Sequence, residues 1–321
     1  MRAQALELFE PIPQGPVEID GAIPTEAQID LGKMLFFEPR LSAGGNLSCN
    51  SCHNLGTGGA DLAPVSIGHE WQKGGRNSPT VLNAVFNTAQ FWDGRAADLV
   101  EQAGGPMVNP VEMAASEEHV LAVLTSMDGY VDAFAAAFPD AETAVTFDNA
   151  ARAIAAFEAT LVTPDSPFDR WMKGDDAAMT DAEKAGFEVF LEAGCASCHN
   201  GVNLGGNSYQ PFGLVERPEW TLLPEEDKGR YAVTRAEEDA YVFKTPTLRN
   251  IALTPPYFHS GAVWSLAEAV EVMGVAQLGN ELSQDDAAKI AVFLGALTGD
   301  QPQVTYPLLP PSGPTTPRPQ Q

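Results

Sequence analysis

Only four cysteines occur among the 321 residues, and all four sit in two short motifs, so none is left for a disulfide. Basic residues are scarce too: 18 Lys and Arg stand against 43 Asp and Glu, a net charge of -25. That balance argues against nucleic acid and anionic membrane as partners, and fits either a basic partner or a simply solvated surface. No apolar run approaches the roughly 20 residues that span a bilayer. The start, Met1-Arg2-Ala3-Gln4-Ala5-Leu6, lacks the apolar centre of a secretion signal. Histidine is rare, with five in the chain, so each one can be weighed separately. Strand-like runs are few and short.

The cysteine motifs carry the chemistry. Cys49-Asn50-Ser51-Cys52-His53 has a twin in Cys195-Ala196-Ser197-Cys198-His199. C-x-x-C-H is the attachment pattern of a c-type haem, in which the thiols become thioethers and the adjacent His binds iron. Zinc would need partner pairs at zinc spacing. A lone redox dithiol would not place His directly after both pairs. Two covalent haem c groups are therefore expected. Such haems are attached outside the cytoplasm, so the protein is expected in the periplasm, with a signal peptide removed ahead of Met1.

The surroundings of the motifs also repeat. Thr25 and Gln28 form a capping box for a helix through Gly32–Phe37, and Thr180 and Glu183 do the same for Phe187–Leu191. Pro79-Thr80-Val81-Leu82-Asn83 matches Pro246-Thr247-Leu248-Arg249-Asn250. Phe91-Trp92-Asp93-Gly94 falls on Phe258-His259-Ser260-Gly261, and Leu99 and Glu101 fall on Leu266 and Glu268. The offset is 167 residues here but 146 at the haem motifs, which puts about 21 extra residues in the second copy, within 205–242. The chain thus reads as a tandem duplication. The fold class is mainly α, two cytochrome-c-like haem domains with few short strands. Thr163-Pro164-Asp165-Ser166-Pro167 marks the boundary, giving domains at 17–163 and 164–300. Further helices are predicted at 117–126 after Ser116, through Phe147–Leu161, from Leu266 to Met273 with a stop at Gly274, and through Asp285–Leu297. Residues 301–321 form a Pro-rich tail, extended and either packed or disordered.

Each iron needs a sixth ligand. His119, early in a helix beside Glu117 and Glu118, reads as a surface residue. His69 lies in a Gly-rich loop sixteen residues past the first motif. A loop histidine is more often merely exposed, but here an open iron position is close, and a loop ligand can leave. Met273 is the candidate at the second haem, where thioether sulfur would raise the potential. A helical Met more commonly packs in the core.

Several ordered elements resemble the bacterial di-haem cytochrome c peroxidase family. They are Arg76-Asn77-Ser78-Pro79-Thr80, Phe91-Trp92-Asp93-Gly94-Arg95-Ala96, Gln102-Ala103-Gly104-Gly105-Pro106, Asn109-Pro110-Val111-Glu112-Met113, and Tyr257-Phe258-His259-Ser260-Gly261 through Met273-Gly274. The resemblance implies that His53 and a displaceable His69 serve an N-terminal, low-potential peroxidatic haem. It implies that His199 and Met273 serve a C-terminal, high-potential haem. Trp92 would help electrons cross, and Glu112, with Gln102 nearby, would be the acid–base residue. Calcium is expected on the Asn77 side chain and the carbonyls of Thr254 and Pro256. Residues 1–16 would pack on the second domain, and the protein would be a homodimer.

The residues allow other readings of their own. Glu112 could be a carboxylate favoured by a helix N-terminus, Trp92 a core aromatic, and His259 a structural residue. Related di-haem enzymes that mature methylamine dehydrogenase carry Tyr where Met273 stands, so Met favours the peroxidase. The expected activity is reduction of hydrogen peroxide with electrons from a small cytochrome c or cupredoxin. The alternative is a non-enzymatic dihaem electron-transfer cytochrome, which would need neither Glu112 nor a loop-borne His69.

Overall fold

The computed structural model describes residues 1–19 and 21–320. Side-chain caps decide where most of its helices begin. The first unit holds α2 (Glu26–Phe36), α3 (Cys49–Cys52), α4 (Leu99–Val108), α5 (Glu117–Thr125), α6 (Asp128–Ala137) and α7 (Phe147–Glu158), after a short α1 (Arg2–Leu8). The second holds α8 (Pro167–Met172), α9 (Asp181–Glu192), α10 (Tyr231–Thr234), α11 (Leu266–Leu278) and α12 (Gln284–Gly295). The expected reciprocal boxes form at Thr25/Gln28 and Thr180/Glu183, and Ser116, Ser265 and Ser283 each accept the amide three residues on. Strand content is one two-stranded antiparallel sheet, β1 (Tyr209–Pro211) with β2 (Val242–Lys244), Tyr209 facing Lys244. The mainly α reading therefore stands.

Among the described residues the two largest apolar cores lie one in each unit. Leu31, Leu35, Phe36, Val120, Tyr130, Phe134, Ile154 and Phe157 fill the first. Phe168, Trp171, Phe187, Phe190, Ile290, Phe293 and Leu294 fill the second, which also takes in Ala5 and Phe9. The duplication is visible in the packing. A Cβ on Gly32 of α2 would overlap the Ala153 carbonyl of α7 and press on Phe157. A Cβ on Gly186 of α9 would meet Lys289 and Phe293 of α12 in the same way. In both units a glycine lets the helix before the C-x-x-C-H motif and the last helix approach backbone to backbone. Phe157 thus corresponds to Phe293, and the next residue, Glu158, to Leu294.

Two local expectations need correction, and the tail takes the packed one of its two expected forms. α11 does not stop at Gly274 but runs to Leu278, where Gly279 (φ 63°) closes it. Gly274 loses helix propensity, yet it packs against Leu282 and accepts the amide of Asn280 at 2.9 Å, so the helix passes through it. His119 is half-buried rather than exposed, its Nε2 3.1 Å from the Arg40 carbonyl, because α5 lies against the 39–41 turn. The tail is ordered and returns to the first unit. Val304 joins that core, Arg40 donates to the Pro310 carbonyl at 2.8 Å, and the Gln320 amide donates to the Ala43 carbonyl at 2.8 Å. Among the described residues no single helix is long and apolar enough to cross a membrane.

Candidate active site

Each C-x-x-C-H motif borders a cavity. The first, about 580 Å3, is lined by Cys49, Cys52, His53, Gln102, Met107, Glu112 and Ile154 among others. The second, about 230 Å3, is lined by Cys195, Cys198, His199, Phe190, Val270 and Met273. The walls meet: Asn77, Ser78, Pro79, Thr80, Phe91 and Trp92 border both. The loop carrying Arg76–Thr80 and the turn carrying Phe91–Trp92 therefore form the partition between the cavities.

The donor sets fit covalent haem. His53 Nδ1 lies 3.3 Å from the Gly59 carbonyl, and His199 Nδ1 lies 3.0 Å from that of Leu204. Each carbonyl accepts a hydrogen bond from Nδ1–H, which leaves Nε2 as the base that could bind iron. Burial pulls both imidazoles down, which keeps them neutral. Burial likewise pushes the Cys49 and Cys52 thiols up, and that of Cys195 up to about 11. Such sulfurs are poor thiolates and suit thioether attachment rather than redox exchange.

The first cavity has a polar face of its own. Glu112 follows a turn after α4 in which Asn109 is pivotal. The Asn109 amide donates to Glu112 Oε1 at 2.7 Å, while its carbonyl oxygen accepts the Val111 amide at 3.0 Å. Burial pushes the Glu112 carboxyl up, partly offset by Arg95 and by Asn109. A carboxyl raised in this way holds a proton more readily than an ordinary carboxylate, which suits a group that must both accept and return one. Gln102 reaches the same cavity from α4. Arg95 lies over the Phe91 ring at 3.4 Å and 3.1 Å from Asp93.

His69 lines neither cavity. Its ring sits beside Gly44, and the neighbouring Trp71 is 85% exposed. The His69 amide donates to the Glu112 carbonyl at 2.7 Å, and a Cβ on Gly68 would overlap the Val111 carbonyl. The His69 turn and the Glu112 turn are thus one docked backbone unit.

The partition is aromatic. Trp92 Nε1 donates to the Asn77 carbonyl at 2.8 Å, and the Trp92 ring meets His259 edge-on at 6.1 Å. His259 stacks on Phe243 at 4.2 Å, is 3% exposed, and is drawn down to about 4 by burial. Arg76 clamps the two units with bonds of 2.7 and 2.6 Å to Asp227 and 2.7 Å to Asp93. Asn77, Thr254 and Pro256 all border the second cavity. The Asn77 Nδ2 donates to the Ala63 carbonyl at 2.9 Å, which leaves its Oδ1 as the oxygen that could ligate a cation.

Two family models match: di-haem cytochrome c peroxidase over residues 26–177, and cytochrome c over residues 183–298. Cytochrome c551 peroxidase of Pseudomonas aeruginosa is 59% identical, covering 98% of this chain and 91% of its own length. The chain belongs to the di-haem cytochrome c peroxidase family. Cytochrome c551 peroxidase of Nitrosomonas europaea is 53% identical over 91% of this chain and 86% of its own. The crystal structure of a MauG-like protein associated with microbial copper homeostasis superposes with a TM-score of 0.79 at 29% identity, covering 90% of this chain and 93% of that one. This di-haem peroxidase therefore carries two c-type haems and acts on hydrogen peroxide.

Sequence reasoning passed over four residues of the site. Asn109 was visible in the Asn-Pro-Val-Glu run, but not as the partner of Glu112. Ser78, whose Oγ lies 3.5 Å from His53 Nδ1, was visible in the Arg-Asn-Ser-Pro-Thr run, but not as a neighbour of that histidine. Glu158 and Lys244, both buried at the cavity walls, sit in apolar surroundings that read as core.

Proposed function

We propose that this peroxidase reduces peroxide at the haem of the first cavity, using electrons received at the haem of the second. The carrying observation is how the side chains are divided. Glu112 and Gln102 face only the first cavity, and Met273 faces only the second. When bound, the haems supply redox iron for cleaving the O–O bond and for storing an electron. His53 and His199 would hold those irons through Nε2. Glu112 takes the proton from the near oxygen of peroxide and returns it to the leaving oxygen. Asn109 keeps that carboxylate aimed, and Gln102 orients the substrate. Met273 would be the second protein ligand of the other iron and, through sulfur, would favour its reduced form. Trp92 supplies the contact through which electrons cross the partition.

Calcium belongs to the same reading. Asn77 Oδ1 with the carbonyls of Thr254 and Pro256 is a neutral oxygen set of the kind Ca²⁺ accepts. It would tie the partition to the second unit. His69 is the displaceable ligand of the first site. Its position beside Gly44, outside the cavity, supports an arrangement in which the distal face is open to peroxide. The domains divide at 163/164, with residues 1–16 joined to the second. The donor is a small basic cytochrome c or cupredoxin of the periplasm, and the enzyme is a homodimer.

The test is peroxide turnover with a reduced mono-haem cytochrome c and Ca²⁺. Oxidised enzyme would be compared with enzyme whose second haem has been reduced beforehand. Turnover only after pre-reduction supports His69 as a redox-released ligand. Turnover in both keeps the peroxidase and removes the gate. A Glu112→Gln enzyme is expected to lose about 10²–10⁴-fold in rate with both haems retained. Full activity in that variant would remove the acid–base role.

A further inference from the structure

The second cavity differs from the first in charge. Asp93, Glu112 and Glu158 line the first beside Lys73, Arg76 and Arg95, whereas among the described residues no carboxylate lines the second, in a chain with 43 acidic residues. Besides His199 and His259, two basic side chains border it, Lys244 and Arg249. Arg249 is fully engaged: it meets Asp169 at 2.8 Å, donates to the carbonyls of Val202 and Glu10 at 3.0 Å each, and reaches Ser166 at 3.3 Å. Lys244 is not engaged. It is 7% exposed, and among the described residues its ammonium has neither a carboxylate at ion-pair distance nor a hydrogen bond. A buried cation without a counter-charge is costly, and here burial pulls the ammonium down to about 8.

The backbone holds Lys244 at the partition. It ends β2, opposite Tyr209, and its amide donates to the Trp92 carbonyl at 2.8 Å. The residue before it, Phe243, stacks on His259. Lys244 thus borders the second cavity beside the aromatic contact to the first. A haem brings two propionate carboxylates, which are the missing counter-charge.

We propose that Lys244 is the counter-cation of a haem carboxylate in the second cavity, and that its charge raises the reduction potential of that haem above that of the first. This rests on the reading of the second cavity as the electron-receiving site. Ferrous iron carries one positive charge less than ferric, so a nearby cation favours the reduced form. The electron comes from the donor protein, and Lys244 keeps its proton in both states. It is a positioning residue and touches no reacting atom.

Redox titration of the two-haem protein, followed by visible absorption, tests this on Lys244→Met, Lys244→Gln and Lys244→Arg. The second haem is assigned as the one that shifts in Met273→His. The neutral variants are expected to lower its midpoint by about 59 mV or more, a tenfold change in a one-electron equilibrium. The first haem should stay put, and Arg should restore at least half the shift. Retention of the second haem by Arg but not by Met or Gln supports the same contact by another route. Equal midpoints in all three variants and the unaltered protein overturn the proposal, as do equal shifts of both haems. A second haem that titrates below the first in the unaltered protein instead overturns the reading on which the proposal rests.

Discussion

Replacing Arg249 with Met tests the frame that holds the second haem loop. Arg249 is 1% exposed and Asp169 0%, and their atoms meet at 2.8 Å. Asp169 Oδ1 lies off the hydrogen-bonding direction and has no other partner, so its charge depends on the guanidinium. Arg249 also ties three segments together: Glu10 after α1, Ser166 before α8, and Val202 just past the haem motif. Removing one partner of a buried pair costs about 3–5 kcal/mol, because the other charge is left uncompensated. At roughly 2–4 °C per kcal/mol that is on the order of 6–20 °C in Tm. The assay is urea unfolding of the holoprotein followed by circular dichroism, with limited proteolysis locating the loosened segment near residues 1–16. Arg249→Met paired with Asp169→Leu should recover most of the loss, since an apolar replacement of both partners is often neutral. A single variant that loses less than about 1 kcal/mol, or a double variant less stable than the single, would refute the reasoning.

Other outcomes follow from neighbouring geometry. Gly186→Ala puts a Cβ into the Lys289 carbonyl and should destabilise the second unit by at least 1–3 kcal/mol, the scale of overpacking, measured by urea unfolding. Gly68→Ala drives into the Val111 carbonyl and should lower peroxide turnover by displacing Glu112 while both haem spectra stay intact. His259 is held down to about 4 from 6.5, so between those values the unfolded chain takes up a proton that the fold excludes. Stability should therefore rise with pH across that window, by up to about 3 kcal/mol, and His259→Phe should flatten the slope. A basic donor steered by the net charge of -25 should turn over more slowly as salt rises, and a flat salt response would remove the steering.

The sequence made the repeated frame legible because its signals are local. Thr25/Gln28 and Thr180/Glu183 are three residues apart, and C-x-x-C-H is contiguous. Lys244 and Glu158 were invisible for the opposite reason: each sits among apolar neighbours, and only the folded walls show that it faces a cavity. The reach of α11 past Gly274 was missed because Gly is a weak stop. Its fate depends on Leu282 and Asn280, which meet it only after the next turn folds back. The tail carries no periodicity, and its contacts with Arg40, Ser126 and Ala43 lie in the other half of the sequence.

The duplication also indicates how one ancestral unit became two different sites. α4 begins at Leu99 and α11 at Leu266, positions that match in the repeat, and counting from them places Pro106 where the second unit has Met273. Pro106 borders the first cavity as Met273 borders the second. A proline has no donor to offer iron, so the first unit lacks the helix-borne ligand and leaves that face to Gln102 and Glu112. Pro106→Met restores the second unit's residue. It is expected to supply a sixth ligand at the first haem and to lower peroxide turnover by at least about 10²-fold, since acid–base cleavage of that order needs an open position. Both haems should remain attached, and the first should take on the absorption of a His/Met site. Unchanged turnover with an unchanged spectrum would show that the two helices do not present their eighth residues equivalently, and that the first site is kept open by something other than the missing sulfur.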